Sequence, residues 1–112
     1  MKNEQIYMTE RVDNLIAQGE EHRNTFVEMF DEQIQKIKDR LNSLDKTKDM
    51  AEKQYQAKEL SLDLYNIIVK KLDNTEKELE ELLKDAVDKR NEAVIEYNNL
   101  IAKANSLKAV MI

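Results

Sequence analysis

A seven-residue spacing of apolar side chains runs from Ile34 to Met111 and dominates the pattern of the chain. Two columns of positions follow this spacing, offset from each other by three or four residues. The first column holds Ile34, Leu41, Lys48, Tyr55, Leu62, Val69, Glu76, Leu83, Arg90, Tyr97, Ala104 and Met111. The second column holds Ile37, Leu44, Ala51, Lys58, Tyr65, Leu72, Leu79, Ala86, Ala93, Leu100 and Leu107. Heptads of this kind are typical of α-helices that pack along coiled-coil seams, so the sequence predicts an all-α protein.

Helix ends have to be located from caps and polar clusters, because the chain has no proline and one glycine, Gly19. Thr75 and Glu78 have the spacing of a capping box, which predicts a helix start at this point. Residues 42–49 are almost all polar and favour a turn. Apolar positions continue in phase around Gly19, which indicates a small contact or a kink inside a helix. These signals predict three helices, near residues 4–42, 47–72 and 76–110.

The middle segment has more apolar positions than one seam can cover. Leu60, Leu64, Ile67 and Ile68 all lie outside the two columns. A helix that is apolar on several sides is buried on several sides, so we expect a single domain (residues 1–112) folded as an elongated antiparallel three-helix bundle. This pattern resembles the spectrin-repeat architecture, although the tryptophan of that repeat is missing. The alternative is an unbroken helix over residues 34–111, about 117 Å long, which would have to oligomerise.

Composition and charge narrow the classes of partner. Only two phenylalanines, four tyrosines and no tryptophan are present, so the core is thin and aliphatic and we expect burial against another protein or a second copy. The net charge is −5 with both signs interleaved, which argues against nucleic acid as a partner. Neither a signal peptide nor a membrane span is predicted. We therefore expect a soluble protein, cytoplasmic or within a particle, that is an oligomer or a subunit of a complex.

No motif in the chain carries chemistry. The only histidine, His22, has Gly19 three residues before it, whereas carboxylate-bridged metal bundles need a glutamate there. The chain has no cysteine, no glycine-rich phosphate loop and no nucleophile elbow around its serines. The sequence therefore predicts a protein that is not an enzyme and binds neither a cofactor nor a metal.

Two groups of apolar residues are candidates for binding a partner. One group is concentrated on a short stretch of the first predicted helix, and the other lies outside the seam columns of the last helix, where Ile101 is central. The candidate residues are Phe26, Met29, Phe30, Val94, Ile101 and Val110. We expect a non-enzymatic structural or interaction protein that builds or bridges a multi-subunit assembly, such as a phage particle, through coiled-coil packing. The alternatives are a small helical chaperone or adaptor for a secretion or assembly client, and an inhibitor acting through its acidic N-terminal helix.

Overall fold

The computed structural model describes residues 2–111, which form two helices and no strand. Helix α1 spans Lys2–Gln56 and helix α2 spans Leu62–Met111. The prediction of an all-α protein is confirmed, whereas the prediction of three helices is wrong. The continuous helix considered for residues 34–111 is also wrong, because the chain leaves the helical conformation between residues 57 and 61.

Both predicted turns lie inside helices. α1 continues through residues 42–49, and α2 continues through Thr75. The Thr75 hydroxyl donates a hydrogen bond to the carbonyl oxygen of Lys71 at 3.0 Å, and the Thr47 hydroxyl donates to that of Ser43 at 3.0 Å. Threonine makes this bond to the preceding turn in the interior of a helix, so the hydroxyl of Thr75 serves the helix rather than capping its start.

The turn between the helices closes with a Schellman motif around Lys58. The backbone N–H of Glu59 donates to the carbonyl oxygen of Gln54 at 2.9 Å, and the N–H of Lys58 donates to that of Tyr55 at 3.0 Å. Lys58 has a φ of 62°, in the left-handed region that this motif requires. These two bonds satisfy carbonyl groups at the end of α1 and stop the helix.

Helix α2 begins with a serine cap. The hydroxyl oxygen of Ser61 accepts a hydrogen bond from the backbone N–H of Leu64 at 3.2 Å, and the Ser61 carbonyl accepts one from Tyr65 at 2.9 Å. Asp63 lies in the first turn of α2, where a negative charge is favourable beside the unpaired N–H groups. The two helices are thus connected by the five residues 57–61, and not by either of the polar segments that the sequence predicted as turns.

The chain divides into two units, to each of which α1 and α2 both contribute a segment. The first, called here the hairpin unit, is Glu32–Val87. In it the predicted columns form the interface between two antiparallel helices, with Ala51 and Leu79 buried and with the rings of Tyr55 and Tyr65 stacked at 4.5 Å. No third helix of the described chain covers the start of α2, where Leu64 and Ile67 remain more than half exposed.

The second unit, called here the terminal unit, comprises residues 2–31 and 88–111. Its helices are also antiparallel, because ion pairs join residues in opposite order along the two helices. Asp13 pairs with Lys108 and Asp31 pairs with Arg90, each at 2.6 Å. The antiparallel arrangement expected from the sequence is thus present in both units.

The buried side of α2 changes column in the terminal unit. After Ala86 and Arg90 both Ala93 and Val94 are half-buried, and Tyr97 and Ile101 follow, so the steps from Ala86 to Arg90 and from Arg90 to Val94 are two successive steps of four residues. Such an insertion into a heptad pattern rotates the buried stripe around the helix. It brings Ile101 into the interface with α1 and turns two predicted seam residues, Leu100 and Leu107, outward with 55% and 53% of their surface exposed.

Candidate docking surface

The displaced leucines line an apolar groove on the terminal unit. This leucine groove encloses about 220 Å³. Helix α1 contributes Val12 and Leu15 to it, and helix α2 contributes Leu100, Lys103, Ala104 and Leu107. Val12 is buried at its floor, whereas Leu15, Leu100 and Leu107 each expose more than half of their surface. A water-exposed groove of leucine side chains is the kind of surface that binds an apolar helix.

A second groove of the terminal unit is built around Tyr97. This tyrosine groove encloses about 270 Å³ and has a mixed lining of aromatic and charged side chains. Tyr97 stacks on Phe26, with ring centroids 5.7 Å apart, and forms a T-shaped pair with His22, with ring centroids 6.3 Å apart. The full lining is Phe26, Phe30, Lys89, Glu92, Ala93, Glu96 and Tyr97.

The two grooves follow each other along one face of α2. Ala93 in the tyrosine groove is seven residues before Leu100 in the leucine groove, and Leu107 follows after another seven. Residues seven apart lie on the same side of an α-helix, about 10.5 Å from each other along its axis. Together the two grooves therefore form one strip, called here the docking face.

Charged side chains flank the docking face. Glu96 lines the tyrosine groove and Lys103 lines the leucine groove, again seven residues apart, and both are exposed. Neither takes part in the ion pairs that the structure records between described residues. The docking face thus combines an apolar centre with charged side chains of both signs, among which Glu96 and Lys103 lie on the same edge.

The structure brings two of the three predicted residues of α1 to this face. Phe26 and Phe30 line the tyrosine groove, where Phe26 keeps 39% of its surface exposed. Met29 is 43% exposed and is not part of the groove lining. That these residues bind a partner remains a prediction.

Two of the three predicted residues of α2, Val94 and Ile101, are less exposed than the expected surplus surface, and binding of a partner by the three residues stays a prediction. Ile101 packs against Gly19, whose missing side chain would lie 3.2 Å from the Ile101 Cγ1 atom. Val94 is half-buried, and Val110 is 84% exposed. Gly19 is buried within a continuous helix. Of the two interpretations from the sequence, a small contact and a kink, the structure thus matches the small contact.

Sequence reasoning missed Leu15, Leu100 and Leu107 as surface residues. It placed Leu100 and Leu107 inside the seam because the heptad spacing continues through both residues in the sequence. A signal was present in the sequence, since an eleven-residue spacing links Arg90 to Ile101 and competes with the heptads. Only the pairing with Gly19 decides between the two spacings.

The principal electrostatic feature of the hairpin unit is structural. Lys48 forms ion pairs with Glu76 and with Asp73, the latter at 3.1 Å. The hydrogen bond to Glu76, followed by that to Asp73, raises the pKa of the Lys48 ammonium above its ordinary value of 10.5. These groups are already satisfied by one another. Among residues 2–111 no group of three or more histidine, cysteine, aspartate or glutamate side chains is arranged to hold a metal ion.

No protein-family model, curated protein or solved structure matches this chain. Neither of the helices described between residues 2 and 111 is long and apolar enough to span a lipid bilayer.

Proposed function

We propose that this chain is a non-enzymatic structural subunit that builds or bridges a protein assembly through helical packing. One observation carries the proposal: the described residues bury few hydrophobic side chains and leave many large ones exposed to solvent. Its buried hydrophobic residues are Val12, Ala51, Leu79 and Ala86, and no large side chain is fully buried. Seventeen large hydrophobic side chains among the described residues keep more than a third of their surface exposed. Two packed helices with so small a core gain further stability when their exposed hydrophobic side chains are buried against another protein surface.

The distribution of the exposed residues supports the same function. Single exposed apolar side chains are ordinary on protein surfaces. Here Leu15, Leu100 and Leu107 share one groove, and Phe26 lines the next groove along the same face of the terminal unit. Contiguous apolar surface of this kind marks an interaction site. The docking face is therefore the part of the chain that we assign to the assembly contact.

The test is photo-cross-linking in the cells that produce the protein, at natural abundance. A photoreactive amino acid replaces Leu100 on the docking face, and the control replaces Asn91, which lies nine residues earlier and therefore on the opposite side of α2. We expect adducts of discrete mass from position 100 and none from position 91.

Two outcomes would contradict the proposal. Recovery of only the free 13.2 kDa chain after irradiation would remove the assembly contact. A single one-to-one adduct that forms before the client matures, and no longer forms afterwards, would replace the structural role with the adaptor alternative.

A further inference from the structure

We propose that the docking face binds the docking face of a second copy of this chain, in an antiparallel arrangement related by a two-fold axis. This inference rests on the proposed function and names its partner. It is carried by two features of α2 in the terminal unit: an apolar strip whose leucines, Leu100 and Leu107, remain more than half exposed, and a pair of opposite charges spaced seven residues apart.

The apolar strip continues the heptad pattern, whereas the intramolecular interface keeps Tyr97 and Ala104 and leaves Leu100 and Leu107 exposed. Ala93, Tyr97, Leu100, Ala104 and Leu107 alternate in steps of four and three residues, which is the spacing of a coiled-coil seam. Gly19 of α1 contacts Ile101 of α2 on the neighbouring stripe. Helix α2 therefore presents two adjoining seams that share Tyr97 and Ala104, and the fold leaves the leucine side of the second seam exposed.

The charges select both the partner and its direction. In the proposed antiparallel pair of α2 helices, Leu100 of each copy lies beside Tyr97 of the other. Glu96 comes one residue before Tyr97 in the sequence, and Lys103 comes three residues after Leu100. These are flanking positions that face each other across an antiparallel seam, so Glu96 of each copy lies opposite Lys103 of the other. One two-fold axis creates the ion pair twice, as a self-complementary interface requires.

A parallel pair lacks this complementarity. In a parallel coiled coil, a residue that flanks the seam just before a core position faces the residue five positions later on the partner helix. Glu96 would then lie opposite Ile101 of the other copy. Ile101 is uncharged and already packs against Gly19 of its own chain. Charge complementarity thus favours the antiparallel pair of identical chains over the parallel one.

The experiment uses the full chain and two charge reversals, Glu96→Lys and Lys103→Glu, followed by sedimentation equilibrium. The wild-type protein is expected to form a species of twice the 13.2 kDa chain mass. Each single variant places two like-charged contacts in its own dimer, so its dissociation constant should rise by about tenfold or more.

An equimolar mixture of the two variants should restore dimerisation. In the mixed dimer the lysine introduced at position 96 of one chain faces the glutamate introduced at position 103 of the other. The second contact pairs the two unchanged residues, Glu96 and Lys103, so both contacts again join opposite charges.

The controls are Glu81→Lys and Lys77→Glu, which make the same charge changes at exposed positions of α2 in the hairpin unit. Their dissociation constants should match that of the wild type, and circular dichroism should show equal helicity in all four variants. A wild-type chain that stays monomeric, or a mixture no more dimeric than its components, overturns the proposal.

The outcome is separable from that of the proposed function. If position 100 forms adducts in cells with a different protein while the purified chain is monomeric, the self-association falls and the assembly role stands. If neither adducts nor dimers form, both fall.

Discussion

The ammonium nitrogen of Lys48 on α1 lies 3.1 Å from a carboxylate oxygen of Asp73 on α2, and it also pairs with Glu76. Lys48 and Glu76 both occupy positions of the heptad seam, where an unpaired charge would oppose packing. Because the two charges meet across the interface, both helices pass through this region without a break. The pairing also restricts which residues of the two helices can lie opposite each other.

The first prediction concerns this pairing. Reversing either charge, with Lys48→Glu or Glu76→Lys, should lower the denaturant concentration at which the hairpin unit unfolds, since like charges then meet in the seam. The double variant Lys48→Glu with Glu76→Lys should recover part of the loss, although Asp73 opposes the new glutamate. Equilibrium unfolding of the four proteins measures the coupling as a double-mutant cycle. Additive single effects would show that the pair does not select the alignment of the helices.

The second prediction concerns alkaline pH. The pKa of Lys48 is raised in the folded chain, chiefly by its hydrogen bond to Glu76, so the folded state holds this proton more tightly than the unfolded state. Its contribution to the free energy of unfolding is therefore fully present below the ordinary pKa of 10.5 and is lost as the pH rises through the folded-state value.

The measurement is the difference in unfolding free energy between the wild type and Lys48→Met, taken from pH 8 to pH 12. Effects of alkaline pH on the rest of the chain are common to both proteins and largely cancel in the difference. We expect the difference to be constant up to about pH 10 and then to move in the direction that disfavours the wild type. A difference that is flat over the whole range would contradict the assigned role of the ammonium group.

The third prediction concerns the turn. Lys58 adopts a φ of 62°, and a side chain in this conformation costs about 1 kcal/mol relative to glycine. Lys58→Gly should therefore raise the free energy of unfolding by about 1 kcal/mol. Lys58→Ala is the control, because it removes the charged chain and keeps the β-carbon. If glycine is no better than alanine at this position, the left-handed residue does not limit the stability of the turn.

The sequence predicted the helical class and the seam of the hairpin unit because these depend on spacing alone. It did not predict the turn, because Lys58 stands where glycine usually marks the end of a helix. The prediction from the sequence omits Ser61, whose hydroxyl caps α2, and places the helix start at the capping-box spacing of Thr75 and Glu78 instead. Thr75 shows why that spacing misleads: inside a helix its hydroxyl bonds to the carbonyl of Lys71 instead.

The fourth prediction concerns the close approach of the helices in the terminal unit. Alanine in place of Gly19 favours the helix by about 1 kcal/mol, but its β-carbon would lie 3.2 Å from the side chain of Ile101. We expect Gly19→Ala to stabilise the Ile101→Ala variant by about 1 kcal/mol and the wild type by less. The control is Gln18→Gly at an exposed neighbouring position, whose cost should be the same in both backgrounds. Equal effects of Gly19→Ala in the two backgrounds would mean that Ile101 moves aside freely.

The last prediction separates the two seams of α2 with neighbouring residues. Ile101 is half-buried against Gly19, so Ile101→Asp places a charge in the interface of the terminal unit. It should lower the free energy of unfolding of that unit by about 2 to 4 kcal/mol. Leu100 exposes 55% of its surface, so Leu100→Asp should change the stability of the monomer by less than about 0.5 kcal/mol.

Association should respond in the opposite way, because Leu100 lies at the centre of the docking face. Leu100→Asp should abolish dimerisation in sedimentation equilibrium while hydrogen exchange in the terminal unit remains slow at low protein concentration. Ile101→Asp should accelerate that exchange even where the wild type is fully monomeric, since its contact is intramolecular. If Leu100→Asp instead unfolds the monomer and Ile101→Asp leaves exchange unchanged, then the heptads continue unbroken to the end of α2 and the docking face belongs to the intramolecular core.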